Sequence, residues 1–189
     1  MMEQFYFVIT ERCNLTCSHC IRDSSPYRDE TAETGMIKNA LTQIARSHPD
    51  SLVLLSGGEP TLHPDLENFI GKIRTLGYSV KLDTNGNRPD VIRRLIERGL
   101  VQYVAMDFKT SFDRYPELSG VGADAEAVAA SFNLLKEGRV PYEFRTTLVR
   151  EMHTEEVLRE MKRSLRGVAR YFLQPFRNEI VLDPKFETM

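Results

Sequence analysis

Apolar residues in this chain follow two rhythms. The unbroken runs Phe5-Tyr6-Phe7-Val8-Ile9 and Leu52-Val53-Leu54-Leu55 predict strands, the second covered on both faces because it lacks polar alternation. Four further strands are predicted at Tyr78 to Leu82, Tyr103 to Met106, Phe144 to Val149 and Tyr171 to Leu173. Between the strands, apolar positions recur three and four residues apart. Leu66, Phe69, Ile70, Ile73 and Leu76 form one such stripe, with Pro64 suited to its first turn and Gly77 to its stop. Ile92, Leu95 and Ile96 form the next, opened by Pro89 and closed by Gly99. Weaker stripes run from Thr34 to Ser47, Ala125 to Gly138 and Thr154 to Leu165.

Strands alternating with helices predict an α/β fold of parallel strands joined by crossover helices. Six strands and five helices give (β/α)6 with the helices outside. A closed eight-stranded barrel takes about 250 residues, and this chain has 189, so an open, partial barrel is expected, as a single domain over residues 1–189. Two stretches lack either rhythm, Ile21 to Glu33 and Thr110 to Asp124. Both follow carboxyl ends of strands, where parallel α/β folds place their sites. The tail from Pro175 is expected at the surface.

Composition narrows the functional classes. With 25 Lys and Arg against 27 Asp and Glu the formal charge is −2, which gives no general attraction to nucleic acid or an anionic membrane. The start, Met1-Met2-Glu3-Gln4, lacks the basic and apolar regions of a signal peptide, and no apolar run approaches the ~18 residues of a membrane span. A cytoplasmic location is expected, and reduced thiols suit it.

The cysteines change the picture most. All three lie in Cys13-Asn14-Leu15-Thr16-Cys17-Ser18-His19-Cys20, a C-x3-C-x2-C directly after the first strand. An odd number of thiols in one short stretch is no disulfide framework. Three thiolates on a tight loop can hold three corners of an iron–sulfur cluster, and with no fourth cysteine one iron stays open. The alternatives are free buried cysteines or a zinc-binding interaction domain with His19 as fourth ligand. His19 and Cys20 are adjacent, which suits a single metal ion poorly.

Polar residues mark the other strand ends. Ser56-Gly57-Gly58-Glu59-Pro60 closes the second strand; two glycines let backbone approach a ligand, and Glu59 can accept from an ammonium group, although a plain turn is the commoner reading. Asp83-Thr84-Asn85-Gly86 ends the third strand, either as an Asn-Gly turn or as a polar cluster for ribose hydroxyls or a cation. Asp107 and Lys109 share a face at the end of the fourth strand, and Arg145 lies on the fifth; a structural ion pair is the alternative to ligand binding at these sites.

The C-x3-C-x2-C after a first strand resembles the signature of the radical S-adenosylmethionine (SAM) superfamily. That resemblance implies a [4Fe–4S] cluster on Cys13, Cys17 and Cys20, SAM on the open iron, and reductive cleavage to a 5′-deoxyadenosyl radical. It implies that His19 lies near the adenine and that Gly57, Gly58 and Glu59, similar to the superfamily's GGE motif, bind the SAM amino group. Asp83, Asn85, Lys109 and Arg145 are further candidates for cofactor contacts, and Lys109 would meet the SAM carboxylate or a substrate carbonyl. Ser56 to Leu62, Lys81 to Gly86 and Tyr103 to Lys109 resemble the activating proteins of glycyl radical enzymes. Tyr142 to Thr147, Tyr171 to Arg177 and Leu182-Asp183-Pro184 are similar to the anaerobic ribonucleoside-triphosphate reductase activating branch. This implies a glycyl radical enzyme as protein substrate and an external electron donor such as flavodoxin or ferredoxin. A radical SAM enzyme acting on a peptide or small metabolite is the rival. The twelve residues before Cys13 are fewer than that branch usually carries, and Ile21 to Gly35 has no counterpart in it.

Overall fold

The structure is a computed structural model and describes residues 4–17, 19–20, 39–44 and 51–176. Its strands are β1 (Gln4–Thr10), β2 (Leu52–Gly57), β3 (Ser79–Thr84), β4 (Tyr103–Asp107), β5 (Tyr142–Leu148) and β6 (Tyr171–Pro175). They form one six-stranded sheet in chain order, and every neighbouring pair is parallel. The helices between them are α1 (Leu66–Thr75), α2 (Pro89–Glu97), α3 (Tyr115–Ser119), α4 (Ala125–Lys136) and α5 (Glu155–Ser164), and residues 39–44 are also helical. With β1 and β6 as the edges among the described residues, this is the expected partial (β/α)6 barrel.

Local chemistry explains the boundaries. Pro89 opens α2, where a missing N–H costs no hydrogen bond. The Asp124 carboxylate caps α4 by accepting from the N–H groups of Glu126 and Ala127 at 3.0 Å. Thr154 caps α5 in the same way, through Val157. The stretch 110–124, expected to be irregular, contains a 3-10 turn at Phe112–Arg114 and then α3. A five-residue helix is too short to show a period. Of the helix expected over Thr34 to Ser47, only 39–44 is described; Ile21 to Gly35 and the tail after Phe176 lie outside the described residues.

Alternation along the strands sorts two faces. Val53, Leu55, Val80, Leu82, Val104, Met106 and Phe144 join one core cluster with Phe69 and Ile73 of α1, Ile92 and Leu95 of α2, and Phe132 and Leu135 of α4. Phe132 stacks on Phe144 at 4.1 Å and tilts against Phe108 at 4.9 Å. Truncating Phe132 to Ala would cost about 3–5 kcal/mol of stability, because a buried ring leaves a cavity. The opposite, inner face carries Leu54, Lys81, Asp83, Tyr103, Asp107, Glu143 and Arg145, as the register shows. The core thus lies between sheet and helices, and the polar chemistry lies inside the barrel. Among the described residues no helix is long and apolar enough to cross a membrane.

Candidate functional site

The cysteine loop leaves β1 through an irregularity in the β1–β2 register between Val8 and Thr10. Breaks of this kind re-aim a chain as it leaves a sheet. Cys17 is buried, Cys13 and Cys20 are half-buried, and the Cys20 N–H donates to the Cys17 carbonyl at 3.0 Å, closing a turn between two of the thiols. Gly58 N–H donates to the Thr10 carbonyl and Glu59 N–H to the Arg12 carbonyl, both at 2.8 Å. On the other side, Thr16 N–H donates to the Ser119 carbonyl at 3.0 Å. The loop is therefore gripped by the end of β2 and by the end of α3.

This grip explains Gly57 and Gly58. Gly57 has φ +127°, and a Cβ there would collide with the Thr10 carbonyl; at Gly58 it would collide with that of Arg12. These glycines let the cysteine-loop backbone approach the end of β2 closely. Gly120 and Gly122 press on the backbone of Thr16 and Asn14 in the same manner.

Glu59 joins the same structure from the side of β3. Its carboxylate is fully buried and filled by the chain's own donors: Thr61 N–H at 3.1 Å, Thr61 hydroxyl at 2.5 Å, Thr84 hydroxyl at 2.8 Å and Asn85 N–H at 2.7 Å. Both carboxylate oxygens are engaged by these donors. Burial holds its carboxyl above the ordinary value, although these donors pull the other way. Asn85 is committed as well. Its side-chain N–H groups face Asn14 Oδ1 at 2.9 Å and Cys13 Sγ at 3.8 Å, and its Oδ1 accepts from Asn87 N–H at 2.9 Å.

Charged groups occupy the inner face beside this clasp. Arg145 bridges Asp83 at 3.1 Å and Asp107 at 3.2 Å, and Lys109 pairs with the second Asp107 oxygen at 3.0 Å. The expected common face of Asp107 and Lys109 is thus an ion pair. Burial opposes the Asp107 carboxylate, but Lys109 and Arg145 outweigh it and hold its carboxyl below the usual range. Burial dominates at Asp83 and raises it despite Arg145. Asp83 Oδ1 and Arg145 Nε are buried with no hydrogen-bond partner among the described residues. Deeper in the barrel, Lys81 pairs with Glu143 at 2.9 Å, and the Tyr103 hydroxyl donates to the same carboxylate at 2.9 Å.

Lys109 connects the two regions. Its N–H donates to the Tyr115 hydroxyl at 2.9 Å, and its carbonyl accepts from His153 Nε2 at 2.8 Å. Burial pushes the Cys17 thiol up while the Lys109 charge pulls it down. Burial, reinforced by Lys109, holds His19 down to about 3, so the imidazole is neutral; its Nδ1 has no partner among the described residues. Thr61, Tyr115, Ser119 and His153 were not among the expected site residues; for Ser119 the available signal was the Gly120-x-Gly122 spacing that follows it. Among the described residues no three His, Cys, Asp or Glu side chains converge on one point. The thiols share a loop but not a closed ligand cage. They nonetheless fit an iron–sulfur cluster in chemistry and number, and the orphaned atoms of His19, Asp83 and Arg145 suit a polar ligand beside it.

The pattern of the Radical SAM superfamily matches residues 7–165, and the chain belongs to that superfamily. It is 31% identical over 182 residues to a Methanocaldococcus jannaschii protein named "Putative glycyl-radical enzyme activating enzyme MJ1227", covering 94% of this chain and 75% of that one. It is 27% identical to the AdoMet-dependent heme synthase of Methanosarcina barkeri, covering 88% of this chain and 49% of that one. Among solved structures it is similar in fold to Streptococcus suis SuiB bound to S-adenosylmethionine, with TM-score 0.73 and 16% identity, over 94% of this chain and 41% of SuiB. The chain spans less than half the length of these last two proteins. Membership in the superfamily sets aside the zinc-binding interaction domain.

Proposed function

We propose that this chain cleaves SAM reductively at a [4Fe–4S] cluster on Cys13, Cys17 and Cys20, and uses the product radical to install a glycyl radical on a partner enzyme. The observation that carries this reading is the loop of three thiols gripped between the end of β2 and Ser119, with Lys109 acting on Cys17 and linked through Asp107 to Arg145. A cluster held by Cys13, Cys17 and Cys20 would supply the electron for reductive cleavage of SAM, and with it the radical chemistry by which a hydrogen atom would be taken from substrate. Lys109 and Arg145 supply cations for the SAM carboxylate. Asp83 supplies an unpaired carboxylate oxygen for an ammonium or hydroxyl group. Neutral His19 supplies a flat ring that repels no cation. Gly57 to Glu59 act through backbone and through the clasp, keeping the loop in register. A flavodoxin or ferredoxin fits as donor, and the similarity to a protein named as a glycyl-radical enzyme activator supports a protein substrate.

Anaerobic reconstitution with iron, sulfide and reductant, followed by assay for 5′-deoxyadenosine, tests the cleavage. A brown protein producing it is expected; stoichiometric zinc without iron would overturn the reading. Adding a cognate glycyl radical enzyme should produce a protein glycyl EPR doublet. The similarity to a heme synthase supports a second reading, action on a small metabolite, in which 5′-deoxyadenosine forms but the doublet never does.

A further inference from the structure

Asn85 stands at the end of β3, held on every side. Its N–H is fixed by Glu59, and the following Gly86 is tied by its N–H to the Thr84 hydroxyl at 3.1 Å and by its carbonyl to the Ser131 hydroxyl at 2.6 Å. Oδ1 accepts from Asn87 N–H, which fixes the amide orientation, so the NH2 is the end turned to the cysteine loop. One of its hydrogens goes to Asn14 Oδ1. The other faces Cys13 Sγ at 3.8 Å, a length natural to a large, soft acceptor. Asn85 is only 5% exposed, which limits competition from water.

We propose that Asn85 is a positioning residue that donates an N–H···S hydrogen bond to Cys13 in the cluster-bound protein and so raises the cluster's reduction potential. The proposal rests on the cluster assignment above. Reduction adds negative charge that spreads onto the sulfurs, and a donor aimed at one of them favours the reduced form more than the oxidised form. The rigid mounting matters, since a donor on a mobile loop would lose the bond to water. A ribose contact would need polar atoms that this side chain has already committed.

The test is an EPR-monitored redox titration of the full chain, reconstituted anaerobically, as wild type, Asn85→Ala and Asn85→Asp. Asp keeps the acceptor for Asn87 N–H while replacing the donor with a carboxylate, so it serves where Ala disturbs folding. Loss of the bond should move the one-electron equilibrium about threefold to tenfold toward the oxidised cluster, a midpoint ~30–60 mV more negative, with Asp shifted further than Ala. Unchanged midpoints in variants with full iron content would overturn the proposal. So would variants that fold, by circular dichroism, yet hold no cluster, because the role would then be assembly. A wild-type chain that takes up no cluster refutes the cluster assignment instead, before any variant is compared.

Discussion

Two polar regions meet at the carboxyl ends of the strands, built on opposite plans. Around Glu59, one buried carboxylate is surrounded by neutral donors from Thr61, Thr84 and Asn85. Across β3 to β5, two carboxylates alternate with two cations in the chain Asp83, Arg145, Asp107, Lys109. In the first region no donor can leave without orphaning a buried group, so geometry is fixed. In the second, Asp107 has two cations and Arg145 two anions, and two polar atoms are left over. A charged ligand can replace one partner there without leaving another bare. The neutral clasp is a frame for the thiols, and the ion chain is a face that adapts to what binds beside them.

Cys17→Ala is expected to abolish iron binding and 5′-deoxyadenosine formation, measured by iron analysis and chromatography; retention of either means that the loop is not what the clasp serves. Next, Glu59→Ala should lower stability by about 3 kcal/mol or more in urea denaturation, since it strands several donors at once. Lys109→Met should lower it by only about 1 kcal/mol, because Asp107 keeps Arg145 and is partly open to solvent. The same variant should weaken SAM binding about tenfold, the loss of one charge-assisted contact. Should the two stability losses fall in reverse order, frame and adaptable face have been assigned the wrong way round.

Acid sharpens the contrast. Burial raises Glu59 above its unfolded value, so stability from this group falls as pH rises from that value through the folded one. At Asp107, burial is outweighed by Lys109 and Arg145, and the carboxyl is depressed. Its contribution is present above about pH 4 and lost as pH falls through the lower folded-state value. Denaturation followed from pH 7 to 3 should therefore show wild type gaining on Glu59→Gln, while its advantage over Asp107→Asn shrinks. The smallest effect is expected far from both regions. Arg98→Ala, which removes an exposed partner of Glu67 on α1, should melt with wild type and so set the baseline.

The strands and most helices were legible because burial on the helix side imposes a period on the sequence, and Pro89 and Gly99 punctuate it locally. The thiols were legible because their chemistry needs close spacing. The packing partners of Gly57, Gly58 and Glu59 were not. What they touch depends on how β2 is registered against β1 and β3, and no residue within several positions of them records that register. Arg145 shows the same limit, since its two partners lie 62 and 38 residues away. Ser119 escaped notice because a one-turn helix packs by contact with a distant loop rather than by a stripe of its own.

The order of the sheet has a consequence for how the chain is made. Each strand pairs with the one synthesised just before it, so the sheet can lengthen by single additions as the polypeptide leaves the ribosome. Each contact described around the cysteine loop comes from residues up to Gly122, in a chain of 189. The thiols can thus be enclosed on both sides before β5 has emerged, and Arg145 arrives last, on a frame that is already standing.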